Sequence, residues 1–437
     1  MKHKITEKVK TRRSIGRGMW NLFSKLPAFI RNPLIRRLFY IDYDLPKNLI
    51  FKRAETYHEI EEAFKVAYEA YYERGLESDT EYRLRLTKHH ALPTTCILIG
   101  KIDEEVVATM TIIVDSALGL PIEKLWNIDE IRNSSGRIAE ISTLAIKRGF
   151  RAQRGKLLLP LCGFMYRYCT RYLGVDKIVA TYHPEVQDFY KSVLLFKPIG
   201  RGEIKTYEFV KGAAAVGGFL DIKNVPLNYS KVYGKKSLKQ NLYHFFEIKV
   251  IENYQFDHPD DFNFAKFHFT PSLLEYFFRN RSEAFEQMTP EERIVVATAY
   301  FYPEYQKVVL QKELAPEDTG RRQIRFAVNF EVQWAAINEE PNQHGKLLEI
   351  SPTGLKLSSV KTPHLKRGEK IQLWMFLRSG IKIPLAGEVK WVNHLQMGVS
   401  LNEFLPSQWL EIVQILQQHV LTRLADSEAG MRIKKTS

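Results

Sequence analysis

The chain has few cysteines, no long apolar run and fewer acidic than basic residues, and each shortage excludes something. Three cysteines in 437 residues (Cys96, Cys162 and Cys169) are too few for a disulfide framework and lack zinc-ligand spacing. Cys162 and Cys169 lie in an apolar run, as small core residues do, and a reducing, cytoplasmic compartment fits. No stretch approaches the ~18–20 uninterrupted apolar residues of a membrane span. The basic amino terminus has no apolar core or small-residue cleavage site, so it is not expected to be a secretory signal. With 64 Lys and Arg against 50 Asp and Glu, the net charge is +14. Such a balance calls for an acidic partner: nucleic acid, anionic lipid, a phosphorylated small molecule or an acidic carrier protein.

What is present divides the chain. Residues 1–48 form a basic amphipathic arm in which Lys and Arg alternate with Trp20, Phe23, Phe29, Leu34 and Phe39. Pro27 and Pro33 are expected to break it into short pieces. It suits either an anionic membrane surface or packing on the protein's own core. Residues 49–230 read as an α/β (α+β) domain. EIEEAFKVAYEAYYERG has a helical apolar stripe, and TTCILIGKIDEEVVATMTIIVD two strands about a tight turn at Asp103–Glu104. From Arg137 to Phe196 runs a strand, a basic loop, an apolar helix, a second strand and a short helix: a β-α-β-α unit. The small residues of GAAAVGG suggest strands whose backbones approach closely. Residues 231–312 read as a helical extension, with a capping box from Thr289 to Glu292. ELAPEDTG (313–320) is the linker candidate. Residues 321–425 change rhythm to short alternating runs at regular spacing, the pattern of a small antiparallel barrel closed by the amphipathic helix WLEIVQILQQHVLTRL. Residues 426–437 are a tail.

The β-α-β-α unit carries candidate chemistry. A strand that splays from its neighbour leaves backbone N–H groups for a thioester carbonyl and its oxyanion. A basic loop entering a helix holds phosphate. An amine attacking the thioester needs a base, for which Glu140 or, less favoured, His183 qualifies; the departing thiolate needs an acid, for which Tyr190 qualifies. Each has a plain alternative: Glu140 as an arginine-paired structural carboxylate, His183 as a turn residue before proline, Tyr190 as a core aromatic.

RIAEISTLAI with DFYKSVLLF resembles the GNAT-type acyltransferase pattern, in which a tyrosine protonates the leaving thiol. More narrowly, AEISTLAI, YYERG, DSALGLPIEKLW and HPEVQDFY, in collinear order over about residues 50–310, are similar to the N-acyl amino acid synthases and the related acyl-homoserine-lactone synthases. In that family an arginine follows the strand serine; here Thr143 stands there, with Arg137 or Arg74 available to pair Glu140 instead. The usual coenzyme-A loop has glycines where RAQRGK places Arg154 and Lys156. That favours acyl-carrier protein over acyl-CoA as donor, its phosphate and acidic helices meeting Arg148, Arg151, Arg154 and Lys156; a solvated basic face is the alternative.

RRQIR followed by EISPTG resembles the signature of PilZ modules, small barrels that bind cyclic di-GMP. Arg321 and Arg325 would fork onto phosphates and stack on guanines, Ser351 would supply a hydrogen bond, and Gly354 would let the strand pass close to the ligand. Glu349 stands where Asp or Asn is usual, and Gly398 matches a late strand of the module. The resemblances together imply a GNAT-like acyltransferase with a helical extension and a PilZ-like barrel. Its expected activity is transfer of a fatty-acyl chain from acyl-carrier protein or acyl-CoA to an amino acid or similar amine under cyclic di-GMP control. The competing reading is a non-catalytic cyclic di-GMP adaptor on a degenerate acyltransferase fold. No metal and no nucleic acid are expected, and the compartment is cytoplasmic, with a peripheral contact to the inner membrane left open.

Overall fold

A computed structural model describes residues 27–134, 136–207, 210–256, 269–300, 303–310, 326–337, 339–340, 342–351, 353–360, 363–376 and 382–401, with 409, 412 and 413. These residues form two compact units: one holds the described chain up to Arg85 and from Thr95 to residue 256, the other Leu86–Thr94 and the described chain from residue 269 onward.

The first unit is built on one sheet. Its strands are β1 (Leu49–Arg53), β2 (Cys96–Ile102), β3 (Glu105–Val114), β4 (Arg137–Ile146), β5 (Val175–Tyr182), β6 (Lys197–Pro198), β7 (Lys205–Tyr207) and β8 (Ala213–Asp221). Their order is β1-β2-β3-β4-β5-β8-β6, with β7 also paired to β8. Among the described strands, β4 and β5 pair in parallel and the rest antiparallel. The parallel pair needs a crossover, and the helix Arg154–Arg171 supplies it. The helix Gln187–Ser192 follows β5 and completes the expected β-α-β-α unit.

Local sequence explains the main elements. The helix Tyr57–Tyr72 starts at a capping box formed by Thr56 and Glu59 and buries Ile60, Ala63, Phe64, Ala67 and Tyr68 on one stripe. The turn between β2 and β3 puts Asp103 at φ 53°, a left-handed conformation that Asp tolerates. Arm residues 27–48 depart from expectation, because Pro33 lies inside a continuous helix, Ala28–Leu38. A proline removes one N–H from the ladder, and tertiary anchors hold the helix here: Arg31 pairs with Asp188 at 3.5 Å, and Arg36 Nε donates to the Ser192 carbonyl at 2.7 Å. Residues 1–26 of the arm lie outside the described residues.

In the second unit, Tyr300, at the end of the helix Pro290–Ala299, donates to the Ala91 carbonyl at 2.7 Å, and Lys88 pairs with Glu292 of that helix; the helix Pro303–Leu310 follows. The capping box of Thr289 with Glu292 is in place. The other element is a closed barrel of β9 (Phe326–Ala336), β10 (Gln343–Ser351), β11 (Gly354–Ser359), β12 (Lys370–Phe376), β13 (Lys382–Asn393) and β14 (Gln396–Leu401), in the order β10-β11-β14-β13-β12-β9. Alternating residues such as Leu355, Leu357, Ile371, Leu373 and Met375 fill it. Trp409 and Val413, from the expected closing helix, are buried in this core; most of that helix, the linker and the tail lie outside the described residues.

None of the three cysteines is in a disulfide, and Cys96 and Cys169 are buried. Burial pushes the Cys162 thiol up to about 12 and raises that of Cys169 as well. The native chain is therefore expected to consume a thiol reagent at pH 8 far more slowly than the denatured chain, which should titrate all three. Rapid native labelling at Cys162 or Cys169 would contradict this packing.

Candidate functional site

Glu140 sits in the middle of a row that crosses the sheet. Ile113 on β3, Glu140 on β4, Val179 on β5 and Phe219 on β8 are register partners in sequence, so their side chains share one face. The row belongs to an apolar cluster with Leu120, Ile122, Trp126, Ile128 and Tyr207, and Glu140, only 3% exposed, is the carboxylate within it. Its Oε2 accepts the Ile122 amide at 2.8 Å. Among the described residues no basic side chain forms an ion pair with it, so the arginine partner that Arg137 or Arg74 was expected to provide is not there. Arg137 instead donates to the Leu173 carbonyl at 2.9 Å. Desolvation raises the Glu140 pKa to about 8; the Ile122 hydrogen bond opposes the rise and the nearby Glu123 charge adds to it.

The amide that meets Glu140 is held by its own network. Arg132 forks onto Asp115 at 2.7 and 3.0 Å and reaches Glu123 at 3.1 Å, while Glu123 accepts the Leu120 amide at 2.7 Å. Tyr207 donates to the Pro121 carbonyl at 3.2 Å, and burial raises its pKa, with the Glu140 charge adding to the rise. The segment DSALGLPIEKLW thus acts as a clamp on one face of β4.

Beside Glu140 the sheet opens. Pairing of β4 with β5 ends at Ile141 and Ala180, yet β4 runs on to Ile146. At the parting, Thr143 has φ 48°, where a β-branched residue is an outlier, and a register shift against β3 marks a bulge. Thr143 is buried, with its hydroxyl 2.5 Å from that of Thr111. Its place in the family pattern is therefore filled by a bulge residue, with no cation there to pair Glu140.

Tyr190 lies by the end of β5. Its ring stacks on Tyr182 at 4.0 Å and 14° and meets Phe196 edge-on at 5.2 Å. The Tyr182 hydroxyl is buried, has no hydrogen-bond partner among the described residues and packs over Gly218, where a Cβ would lie 2.5 Å away. Likewise the Trp126 indole lies on Gly217. GAAAVGG therefore makes room for aromatic rings, where the sequence suggested close backbones: glycine leaves the sheet surface open to a flat side chain. His183 is half exposed, accepts the Glu185 amide at 3.3 Å and caps the turn before Tyr190. Glu140 thus lies one residue before the strands part, Tyr190 stacks on the last residue of β5, and His183 has a capping contact.

The basic loop forms a turn at Arg148–Gln153 and enters the crossover helix. Arg151 binds the Ile146 carbonyl at 3.2 Å and Glu73 at 2.6 Å; Arg148, 81% exposed, lies 3.7 Å from Glu73. Lys156 lies 3.5 Å from Asp42. The Arg154 side chain lies outside the described residues. In the barrel, the Ser351 hydroxyl donates to the Gly354 carbonyl at 3.0 Å across the β10–β11 turn, and Glu349 lies 3.6 Å from Lys356. A Cβ on Gly354 would stand 3.2 Å from the Val399 carbonyl. Gly398 leaves room for the Trp391 indole. Arg321 and Arg325 lie outside the described residues.

Sequence reading missed Tyr182, Tyr207, Trp126 and the Asp115–Arg132–Glu123 network. The density of acids in DSALGLPIEKLWNIDEIR was the one available signal for the last of these.

Residues 62–221 match the family model described as N-acyl amino acid synthase FeeM, and residues 319–418 match that of the PilZ domain. None of the curated proteins matches the chain. Among solved structures, FeeM, an N-acyl amino acid synthase from uncultured soil microbes, is 19% identical with TM-score 0.37, over 45% of this chain and 97% of its own. BjaI, a CoA-dependent acyl-homoserine lactone synthase, is 15% identical with TM-score 0.35, over 48% and 94%. The PilZ domain of CeSA from a cellulose-synthesizing bacterium is 12% identical with TM-score 0.18, over 24% and 99%. By these matches the chain carries a region similar to the N-acyl amino acid synthases, residues 62–221, followed by a PilZ-type region, residues 319–418.

Proposed function

We propose that the chain transfers a fatty-acyl group from a thioester of acyl-carrier protein, or of coenzyme A, to the amine of an amino acid or similar acceptor. The observation that carries this is a buried, cation-free carboxyl beside the point where β4 and β5 part. In the proposed step the amine attacks the thioester carbonyl, forming the C–N bond. Backbone N–H groups of β4 beyond Ile141 stabilise the oxyanion. Glu140 takes the amine proton, and Tyr190 gives its proton to the departing sulfur as the C–S bond breaks. A carboxyl raised to about 8 is a stronger base than an ordinary one and matches an ammonium donor more closely. Arg148, Arg151 and Lys156 are engaged with Glu73 and Asp42, partners that an acidic carrier's phosphate would replace. The barrel is proposed to bind cyclic di-GMP through Arg321, Arg325, Glu349, Ser351 and Gly354 and to regulate the transfer.

Incubation with acyl-carrier-protein or CoA thioesters and pooled amino acids should yield an N-acylated product by mass spectrometry; no product at any chain length overturns the reading. Glu140→Gln and Tyr190→Phe should each lower kcat by about 10²–10⁴, and wild-type kcat/KM should rise with pH with its midpoint near 8 and level off above it.

Stability should move the opposite way. Between the ordinary carboxyl value of 4.5 and about 8, folded Glu140 holds a proton that the unfolded chain has released, so wild-type stability falls as pH rises through that window. Glu140→Gln keeps an acceptor for Ile122 without this penalty. The variant should be more stable at pH 7 by about 3 kcal/mol, converging with the wild type below pH 4.5. A less stable variant at pH 7 would mean that Glu140 is charged in the fold.

Calorimetry tests the barrel: cyclic di-GMP should bind the wild type and bind Arg321→Ala at least about tenfold more weakly, as expected for loss of a charge-assisted contact. Silence in the wild type would remove the nucleotide from the account.

A further inference from the structure

Two segments of the first unit meet at its surface. Residues 37–41 run beside 238–240: the Ile41 amide donates to the Lys239 carbonyl at 2.8 Å, Gln240 Nε2 to the Arg37 carbonyl at 2.9 Å, and the Tyr43 hydroxyl to the Leu238 carbonyl at 3.0 Å. On the outside stand Leu38, Tyr40 and Leu238, exposed to 72%, 55% and 59%. Lys239 Nζ lies 5.3 Å over the Tyr40 ring. The loop KVYGKKSLK carries four lysines and no carboxylate, and Lys231, Lys235, Lys236 and Lys239 are all exposed, as is Arg37.

Charge bias extends beyond the loop. Residues 27–44 and 223–250 together hold nine basic residues and three acidic ones. Two of the three are engaged inward, Asp42 with Lys156 at 3.5 Å and Glu247 with the Tyr166 hydroxyl; Asp44 is exposed, 3.8 Å from Lys156. The patch also stands on anchored structure. The helix Ala28–Leu38 is held to the helix bearing Tyr190 through Arg31–Asp188, and through the Asn32 and Arg36 bonds to Ser192.

We infer that the face formed by Leu38, Tyr40 and Leu238 with Arg37, Lys235, Lys236 and Lys239 docks the first unit on an anionic lipid surface. Leucines that stand out of the surface gain free energy by entering acyl chains, Tyr40 suits the headgroup level, and lysines around them meet anionic headgroups. A soluble acidic protein would satisfy the lysines but give a poorer home to two projecting leucines. A second copy of the chain would set lysines against lysines. This inference does not depend on the acyl-transfer reading, although docking here would hold the Tyr190 helix beside the membrane.

The test is co-sedimentation of the full chain with phosphatidylcholine vesicles, with and without phosphatidylglycerol. Wild type should partition onto the anionic vesicles and be released by salt. Leu38→Ser with Leu238→Ser, and Lys235→Ala with Lys236→Ala, should each weaken that partition by about tenfold or more. These side chains are exposed, so the variants should melt like the wild type. Absent binding, equal binding to neutral vesicles, or variants that bind like the wild type each overturn the inference. It is equally overturned if the same variants lose a purified acyl-carrier protein, or a concentration-dependent dimer, while vesicles are not bound.

Discussion

The first unit depends on one constraint: a carboxyl group must live inside an apolar layer with no cation paired to it among the described residues. Moving such a group out of water disfavours its charged form, and a single amide hydrogen bond only partly offsets that. Several features of the chain serve this constraint. Arg132 is spent on Asp115 and Glu123, which fixes the turn offering the Ile122 amide. Ile113, Val179 and Phe219 flank the carboxyl across the sheet and keep water out. Thr143 tolerates a left-handed backbone where β4 bulges away from β5, a conformation that costs on the order of 1–3 kcal/mol. Strain, desolvation and an opened strand pair occur within four residues of one another. That concentration of costs is expected where a protein trades stability for chemistry.

Much of the scaffold was legible because its signals are local. The capping boxes at Thr56 and Thr289 need only residues three apart, and the alternating apolar runs of the barrel need only a period of two. Glu140 stood out as the lone carboxylate in RIAEISTLAI. Its surroundings did not, because Ile122 is 18 residues away and Tyr207 reaches it from another strand. The basic loop was legible as charge; its engagement with Glu73 and Asp42 required two other segments to fold against it. Pro33 misled for the same reason, since a helix that local propensity would break is held by contacts to residues 188 and 192. The glycines of GAAAVGG were read by their backbone freedom, whereas the fold uses their missing side chains as seats for Trp126 and Tyr182.

The chain separates its tasks. The described residues proposed for acyl transfer fall in the first unit, and Glu349, Ser351 and Gly354, proposed for the nucleotide, fall in the second. In the barrel, Ser351 and Gly354 are held by a bond of their own turn, which fixes the shape of the link between β10 and β11.

The claim on which the account rests most heavily is that folded Glu140 keeps its proton at neutral pH. Difference infrared spectroscopy of the native chain against Glu140→Gln reads that proton directly. The account predicts a protonated-carboxyl stretching band at pH 6, missing in the variant and lost with a midpoint near 8. A carboxylate band for Glu140 throughout that range would contradict it.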